Sequence, residues 1–403
     1  MKIKRLLKLN LMRAAMMLAL ILACATVWAE TETVSSDNFS VNADGTEYTI
    51  HNATGWNFFC EALQDNETYN HFSGKTVKLG ANITVTQMAG GSNHAFTGTF
   101  DGNHKTLTLN YGTAQAPIDA EFVAPFVEVS GGAEFINLNI DGHIYAAYTG
   151  SSDPGVGGLI GHLFGSITIE GCTSTVEINS TKDRVGGFVG LCEHAVTFTN
   201  CKSSAVVTCT GSGSGFVGWS RASPYTIAFY GCLFNGKVLK KNGVGSGNGG
   251  FVGWKGFQKT VEITNCLVDP AAVAEGETMA DDNSATFCRY SADTSLDNQA
   301  TTITDCYYTT DFNDGEHFIG QGKQARSITS SYYVTVENVG TVSNNYTTSG
   351  LIFYNAGLKY GDVLYAAASD EVSLTLGNTV PEGYFLGYSA HPLRRRSHEH
   401  RHQ

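Results

Sequence analysis

Two tryptophans that follow matching short stretches of the chain are the residues best suited to bind a ligand. Trp219 and Trp254 each come directly after a Gly-Phe-Val-Gly sequence, and Arg221 and Lys255 lie close behind them. An indole offers a large apolar surface with one polar handle. If neighbouring elements place the indoles side by side, they form a platform for sugar rings, and the two cations bond to sugar hydroxyls. The alternative is that the indoles pack for stability alone.

Catalytic groups are not recognisable in the sequence. Glycoside hydrolysis needs two carboxylates about 5 to 10 Å apart, whereas the acidic residues of the central region occur singly. They are Glu170, Glu177, Asp183, Glu193 and Glu262. The motifs Gly-x-Ser-x-Gly and His-Glu-x-x-His and the phosphate-binding loop do not occur. We therefore expect a protein without catalytic activity and without a cofactor.

Two short motifs with chemical potential have simpler interpretations. Asp101 and His104 have a spacing that suits acid/base chemistry, but Asp101-Gly102-Asn103 is first of all a turn sequence. The stretch from Asp311 to Glu316 resembles a calcium loop without the remaining ligand spacing. We expect no metal site.

Nine cysteines remain once the apolar leader is set aside, and five of them end similar segments. These five are Cys172, Cys201, Cys232, Cys266 and Cys306. Metal ligation and a disulfide framework are the functional interpretations, with Cys192 and Cys209 as the most plausible disulfide pair. Free cysteine also behaves as a small buried hydrophobe, and no zinc-type spacing occurs. We therefore expect a stack of cysteines in the core.

The elements that must position these residues recur four times between residues 157 and 266. Each copy has a Gly-rich corner, then a variable loop, then an alternating segment that ends in cysteine. The corner glycines are Gly158 and Gly161, Gly187 and Gly190, Gly215 and Gly218, and Gly250 and Gly253. Repetition at this period is typical of stacked units that bury their apolar faces against one another.

The composition of the unit predicts strands. Its segments have four to six residues, alternate with period two and are rich in Val, Ile, Thr and Phe. Three short strands per turn with Gly-rich corners describe a right-handed parallel β-helix, in which equivalent side chains of successive coils stack about 4.8 Å apart. The fold class is therefore all-β, with a long rigid solenoid.

The corner and the strand that follows it also resemble the bacterial GLUG motif. The resemblance rests on Gly-Leu/Phe-Val/Ile-Gly followed by the Asn/Gly-Cys strand, and it extends over roughly residues 48–308. It implies a right-handed β-helix region of a secreted or surface protein, including the non-catalytic parts of some IgA-peptidase-like proteins. It implies little about activity, because such modules accompany many functions.

The flanking segments have different patterns. Trp56, Phe59, Cys60 and Leu63 have helical spacing, which predicts a capping helix near residues 55–64 that covers the open end of the solenoid. We expect residues 30–47 to be a linker, 48–310 the β-helix and 311–390 a small antiparallel β domain. Residues 391–403, rich in His and Arg, are expected to be a disordered tail, or a truncated or frame-shifted end.

The start of the chain predicts export. A basic stretch and an apolar run precede Val27-Trp28-Ala29, which fits the rule for signal-peptide cleavage, so residues 1–29 are interpreted as a secretory signal. The alternative is a lipoprotein signal with Cys24 as the lipidated residue. The apolar run is shorter than the roughly 20 residues of a membrane helix, and we expect no integral membrane span.

The charge of the body restricts its partners. Of 25 basic and 37 acidic residues, the leader holds five bases and the tail four bases and one acid, which leaves 16 bases and 36 acids. A net charge of about −20 repels phosphate backbones and disfavours nucleic acid.

We therefore expect a monomeric secreted or surface-displayed bacterial protein that binds glycans or host or microbial proteins in an adhesin-like manner. The alternatives are a carbohydrate-active β-helix enzyme, such as a polysaccharide lyase or glycoside hydrolase, and a purely structural stalk.

Overall fold

The computed structural model describes residues 37–221, 223–241, 247–256, 259–279, 284–290, 301–304, 306–308, 312 and 365–366. The predicted signal peptide, the C-terminal tail and nearly all of the predicted C-terminal β domain lie outside these residues. Among the described residues, no helix is long and apolar enough to cross a membrane.

The chain begins with a short cap and the first coils. Their elements are β1 (Phe39–Val41), β2 (Glu47–Ile50), α1 (Ala53–Gln64), α2 (Asn66–Tyr69), a 3-10 turn (Asn70–Phe72), β3 (Thr76–Leu79), β4 (Ile83–Val85), β5 (Thr99–Asp101), β6 (Thr106–Tyr111), β7 (Phe122–Val123), β8 (Phe126–Val129), β9 (Glu134–Ile136) and β10 (Asn139–Ala146). The predicted linker therefore includes β1, which pairs antiparallel with β2.

Four repeat coils follow. The first contains β11 (Gly155–Gly157), β12 (Ile160–Leu163), β13 (Ile167–Glu170), β14 (Thr173–Ser174) and β15 (Glu177–Ser180). The second contains β16 (Val185–Gly186), β17 (Val189–Cys192), β18 (Val196–Thr199), β19 (Lys202–Ser203) and β20 (Val206–Cys209). The third contains β21 (Gly213–Ser214), β22 (Val217–Ser220), β23 (Thr226–Tyr230), β24 (Leu233–Phe234) and β25 (Lys237–Lys240). The fourth contains β26 (Asn248–Gly249), β27 (Val252–Lys255), β28 (Thr260–Thr264) and β29 (Leu267–Val268).

A fifth coil contributes β30 (Cys288–Tyr290), β31 (Thr301–Thr304) and β32 (Tyr307–Tyr308), and β33 (Tyr365–Ala366) pairs antiparallel with β32. The strands form a parallel β-solenoid of about seven turns, which confirms the predicted fold class. The first three repeat coils have five strands each rather than the predicted three. The difference arises because the Gly-rich corner itself pairs between coils as two strands, and the last apolar run is divided in two.

Equivalent residues of successive coils are paired in register. Ile169 pairs with Phe198, Phe198 with Phe229, and Phe229 with Ile263. All four side chains are buried, and the rings of Phe198 and Phe229 stack 5.0 Å apart at 8°. The core is thus a set of regularly spaced layers of Ile and Phe, as expected when parallel strands repeat at one spacing.

The cysteine position is an apolar slot inside the coil. All nine cysteines of the described region are free and buried, so the Cys192–Cys209 disulfide does not form. The Cys232 amide donates to Cys266 Sγ (3.3 Å), and the Cys266 amide donates to Cys306 Sγ (3.4 Å). The thiols therefore stack as predicted.

The residue before the slot is in the left-handed backbone region in each of the four repeat coils. Its φ is +53° at Asn200, +52° at Asn265, +60° at Gly171 and +64° at Gly231. Only Gly, and next to it Asn, adopts this conformation at low cost. This requirement explains why Asn or Gly precedes Cys172, Cys201, Cys232 and Cys266 in the sequence.

Corner glycines allow backbones to touch. A Cβ at Gly187 would lie 2.1 Å from the carbonyl oxygen of Gly215, and one at Gly190 would lie 2.4 Å from the amide nitrogen of Val156. The residue between them, Phe188, is fully buried and stacks on Phe216 at 5.2 Å. The corner therefore turns its aromatic residue into the core.

Helix α1 covers the first coil. It begins after Asn52, whose Oδ1 accepts a hydrogen bond from the Gly55 amide at 3.0 Å. Trp56 and Phe59 are fully buried. The Trp56 indole contacts Phe100 and Phe126 edge-on and donates from Nε1 to the Gln87 carbonyl at 2.8 Å. The predicted lid is present and extends two residues further towards the N-terminus.

We predict that Trp56→Ala destabilises the protein by about 3–5 kcal/mol, because it leaves a cavity at the end of the core. Urea unfolding followed by near-ultraviolet circular dichroism measures the effect. Tyr230→Ala is the matched control, since Tyr230 is 39% exposed and its loss should cost within about 0.5 kcal/mol. An unchanged midpoint for Trp56→Ala would contradict the lid.

Candidate functional site

One column of side chains lies outside the core on the sheet that contains β8, β12, β17, β22 and β27. Glu128 pairs with His162, His162 with Leu191, and Leu191 with Trp219. Trp254 follows in the next coil, two residues after Val252 as Trp219 follows Val217. We call Glu128, His162, Leu191, Trp219 and Trp254 the outer ladder.

The two indoles of the outer ladder stack on one another. Their ring centroids are 5.0 Å apart and their planes differ by 16°. Both side chains are half-buried. The rings therefore lie face to face along the solenoid axis, with their edges outward, instead of side by side as a flat platform.

A guanidinium group covers each end of the indole pair. Arg184 Cζ lies 4.8 Å from the centre of the Trp219 ring, and Arg289 Cζ lies 4.4 Å from that of Trp254. Arg184 belongs to the second repeat coil and Arg289 to the fifth. The order along the axis is therefore Arg184, Trp219, Trp254, Arg289, one residue per coil, which we call the Arg-Trp stack. In cation–π contacts the cation is more often Arg than Lys, and Trp is the best aromatic partner.

The two cations predicted to flank the indoles are placed differently. Arg221 is exposed and engaged with acids: its Nη2 lies 3.0 Å from Asp153 Oδ2, and its Nε lies 3.1 Å from Glu193 Oε1. Lys255 is 1% exposed, and its Nζ donates to the Lys259 carbonyl at 3.0 Å. Lys255 thus points away from the surface, and the prediction that its ammonium faces a ligand is wrong. Arg184 and Arg289 take the positions beside the indoles.

An ionic network borders the outer ladder. Asp153 joins two arginines, since its Oδ1 lies 2.8 Å from Arg184 Nη2 and its Oδ2 contacts Arg221. Arg184 Nη1 also lies 3.2 Å from Asp183 Oδ1. Three coils are therefore linked across the surface by alternating charges.

His162 lies between two carboxylates. Its Nδ1 is 3.4 Å from Glu128 Oε1, and its Nε2 is 3.2 Å from Glu193 Oε1 without the alignment of a hydrogen bond. The imidazole also stacks on Phe122 at 4.6 Å. An imidazole held between two carboxylates can hold or transfer a proton.

A buried lysine holds the segment that carries Glu193. Lys259 is fully buried, and its Nζ donates to the Glu193 carbonyl (2.9 Å), the His194 carbonyl (3.0 Å) and Ser223 Oγ (2.8 Å). Burial lowers the pKa of Lys259 from its ordinary value, and burial likewise lowers the pKa of Arg289 to about 10. The site is thus built on cations that the fold has taken out of water.

The remaining chemical candidates do not add to the site. The Asp101 carboxylate accepts from the Asn103 amide at 2.7 Å, as a turn requires. Within the described residues, no three His, Cys, Asp or Glu side chains converge as metal ligands.

Sequence reasoning missed Glu128, His162, Asp153, Arg184 and Arg289. The sequence pattern could have identified Glu128 and His162. Each lies two residues after the first residue of its strand, as Trp219 does. That spacing does not mark the other three, and only the stacking of coils brings Arg184 and Arg289 to the indoles and Asp153 to Arg184 and Arg221.

Comparison with known proteins identifies the repeat. The family model described as the GLUG motif matches residues 153–179, which span the first repeat coil. The chain is therefore a GLUG-containing β-solenoid protein. None of the curated proteins compared with the chain matches it.

Among solved structures, the chain is similar to a candidate immunoglobulin A1 protease from Bacteroides ovatus. The identity is 17% and the TM-score is 0.41, over 76% of this chain and 88% of that chain. No argument about activity follows from a likeness of this degree.

We predict that the two indoles stabilise the fold cooperatively. Double-mutant cycles with Trp219→Ala and Trp254→Ala, measured by urea unfolding, should give a coupling energy of about 0.5–1.5 kcal/mol, because removal of one ring takes away the stacking surface of the other. The pair Trp56→Ala and Trp219→Ala is the control and should be additive. Additivity of the two stacked tryptophans would contradict the stack.

Proposed function

We propose that this GLUG-containing β-solenoid is a non-catalytic, adhesin-like binding module, secreted or displayed at a cell surface. Its outer ladder and the adjoining ionic network are the surface that engages glycans or proteins. The proposal combines the fold with the chemistry of an outer column in which two indoles stack.

The observation that carries the proposal is the Arg-Trp stack. The two indoles remain partly exposed although each is packed between a guanidinium group and the other ring. Rigid aromatic side chains lose little conformational entropy when a ligand binds. Trp and Arg are also the residue types enriched at energetic centres of interfaces. The exposed edges lie beside polar groups, as in an interface with an aromatic centre and a polar rim.

The binding test uses both ligand classes. A glycan array and a panel of extracellular proteins identify the best ligand of the wild-type chain, and isothermal titration then compares wild type with the Trp219→Ala/Trp254→Ala variant. We expect the affinity to fall at least about tenfold, since loss of a central aromatic residue costs about 2 kcal/mol or more. Tyr230→Ala, an exposed aromatic residue on another sheet, is the matched control. Equal affinity of wild type and the double variant would show that the outer ladder does not bind the ligand.

A carbohydrate-active enzyme is the second candidate, and the His162 arrangement favours it. Glu128 and Glu193 flank one imidazole, and paired carboxylates are the groups that glycoside hydrolysis uses. Incubation with polysaccharides, followed by assays for new reducing ends and for unsaturated products, tests this candidate. Turnover that His162→Gln abolishes would replace the binding proposal with an enzymatic one. A chain with neither ligand nor turnover would be a structural stalk.

We also propose that residues 1–29 direct export and are removed. The mature chain should begin at Glu30, since cleavage follows the small residue Ala29. N-terminal sequencing and intact mass of the protein exported from a bacterial host measure this, with Cys24→Ser as the control that leaves cleavage unchanged. A lipid-modified N-terminus at Cys24 would show the lipoprotein alternative instead.

A further inference from the structure

We infer that the partner of the outer ladder is a polypeptide with a basic surface, not a sugar ring stacked on an indole. This inference rests on the proposed function and narrows it to one class of ligand. Three features of the surface support it: the occupied indole faces, the exposed indole edges and the charge of the rim.

Every face of the two indoles is already covered. Trp219 lies between Arg184 at 4.8 Å and Trp254 at 5.0 Å, and Trp254 lies between Trp219 and Arg289 at 4.4 Å. The four residues belong to four consecutive coils, so the two neighbours of each ring lie on opposite faces. A sugar ring that stacks on an aromatic residue needs one open face, and this surface offers none.

The indole edges are the part of the stack that remains accessible. Neither Nε1 atom has a hydrogen-bond partner in the described part of the chain, and neither is a buried orphan donor. Each ring therefore keeps an N–H donor that solvent can reach, and the two rings lie one coil apart. Peptide carbonyl groups are strong acceptors, and indole edges combine apolar area with one donor, as protein interfaces require.

The rim of the surface is more acidic than basic where a partner would touch it. The exposed fractions of the Asp153, Asp183 and Glu193 side chains are 49%, 32% and 31%, whereas that of Arg184 is 14%. Arg289 is 7% exposed. Arg221, at 46%, is thus the one well-exposed cation of the network among the described residues.

The net charge of the body of the protein is also negative. Its 16 basic and 36 acidic residues leave a net charge of about −20. Such a field increases the association rate of a cationic partner and opposes an anionic one. The local rim and the global charge therefore favour the same class of partner, a polypeptide rich in Lys and Arg.

The experiment selects peptides from a random library displayed on phage against the full chain, with counter-selection against Trp219→Ala/Trp254→Ala. A glycan array is run in parallel on the same two proteins. We expect the selected peptides to be enriched in Lys and Arg. Synthetic copies should bind at least about tenfold more weakly to the counter-selection variant. Raising the NaCl concentration from about 50 to about 500 mM should weaken binding several-fold.

Two variants with smaller changes distinguish a loss of binding from a loss of folding. Trp219→Phe/Trp254→Phe keeps stacked rings but removes both N–H donors, and we expect about a 2- to 12-fold loss for each hydrogen bond that is removed. Asp153→Asn/Glu193→Gln keeps the Arg-Trp stack and removes two rim charges, and it should weaken binding and reduce its salt dependence. Tyr230→Ala should bind as wild type.

The outcomes separate the inference from the proposed function. Glycan binding that requires the tryptophans, without any tryptophan-dependent peptide, would overturn the inference and leave the binding module in place. Selected peptides of acidic or neutral composition would also overturn it. Ligands that bind equally well to wild type and to the double alanine variant would overturn the inference and the proposed function together.

Discussion

The structure depends on one constraint, the in-register pairing of each coil with the next. Parallel strands fix the spacing between equivalent residues, so a side chain type chosen at one position is repeated as a column along the axis. Inside the coil this produces layers of phenylalanine and a stack of thiols. The same pairing restricts which residues can occupy the corners and the position before the slot. A residue with positive φ precedes the slot in each of the four repeat coils, and a Cβ at Gly187 would collide with the next backbone. A change at one such position disturbs two neighbouring coils.

The same constraint builds the candidate site, but with varied residues. The outer ladder changes from Glu128 and His162 through Leu191 to Trp219 and Trp254, while the core columns remain uniform. Uniform columns suit packing, since identical shapes interdigitate in identical layers. A varied column on the outside gives one solenoid several chemical surfaces in succession: an imidazole between two carboxylates, an ionic network and an aromatic stack.

Cations determine how the aromatic surface is used. Arg184 and Arg289 lie on the two outer faces of the indole pair, which directs the edges of the rings outward and leaves their faces closed. Lys255 and Lys259 are buried, and backbone carbonyls accept hydrogen bonds from both. Because these cations are buried, the exposed charges at the rim are those of Asp153, Asp183, Glu193 and Arg221. The sign of the surface thus follows from which charges the fold buries, and net composition alone does not determine it.

The sequence by itself determined the repeat, the strand character of its segments, the apolar slot of the cysteines and the helix that carries Trp56. Each of these depends on local periodicity or on residues at fixed offsets, which a linear pattern records. Only the tertiary structure decided how the site is assembled. Arg184 and Arg289 reach the indoles from different coils, Asp153 reaches Arg184 and Arg221, and loops of uneven length hide that proximity in the sequence. Lys255 points inward because it lies in the buried column of Leu163, Cys192 and Ser220, and only the fold shows that its ammonium then donates to the Lys259 carbonyl.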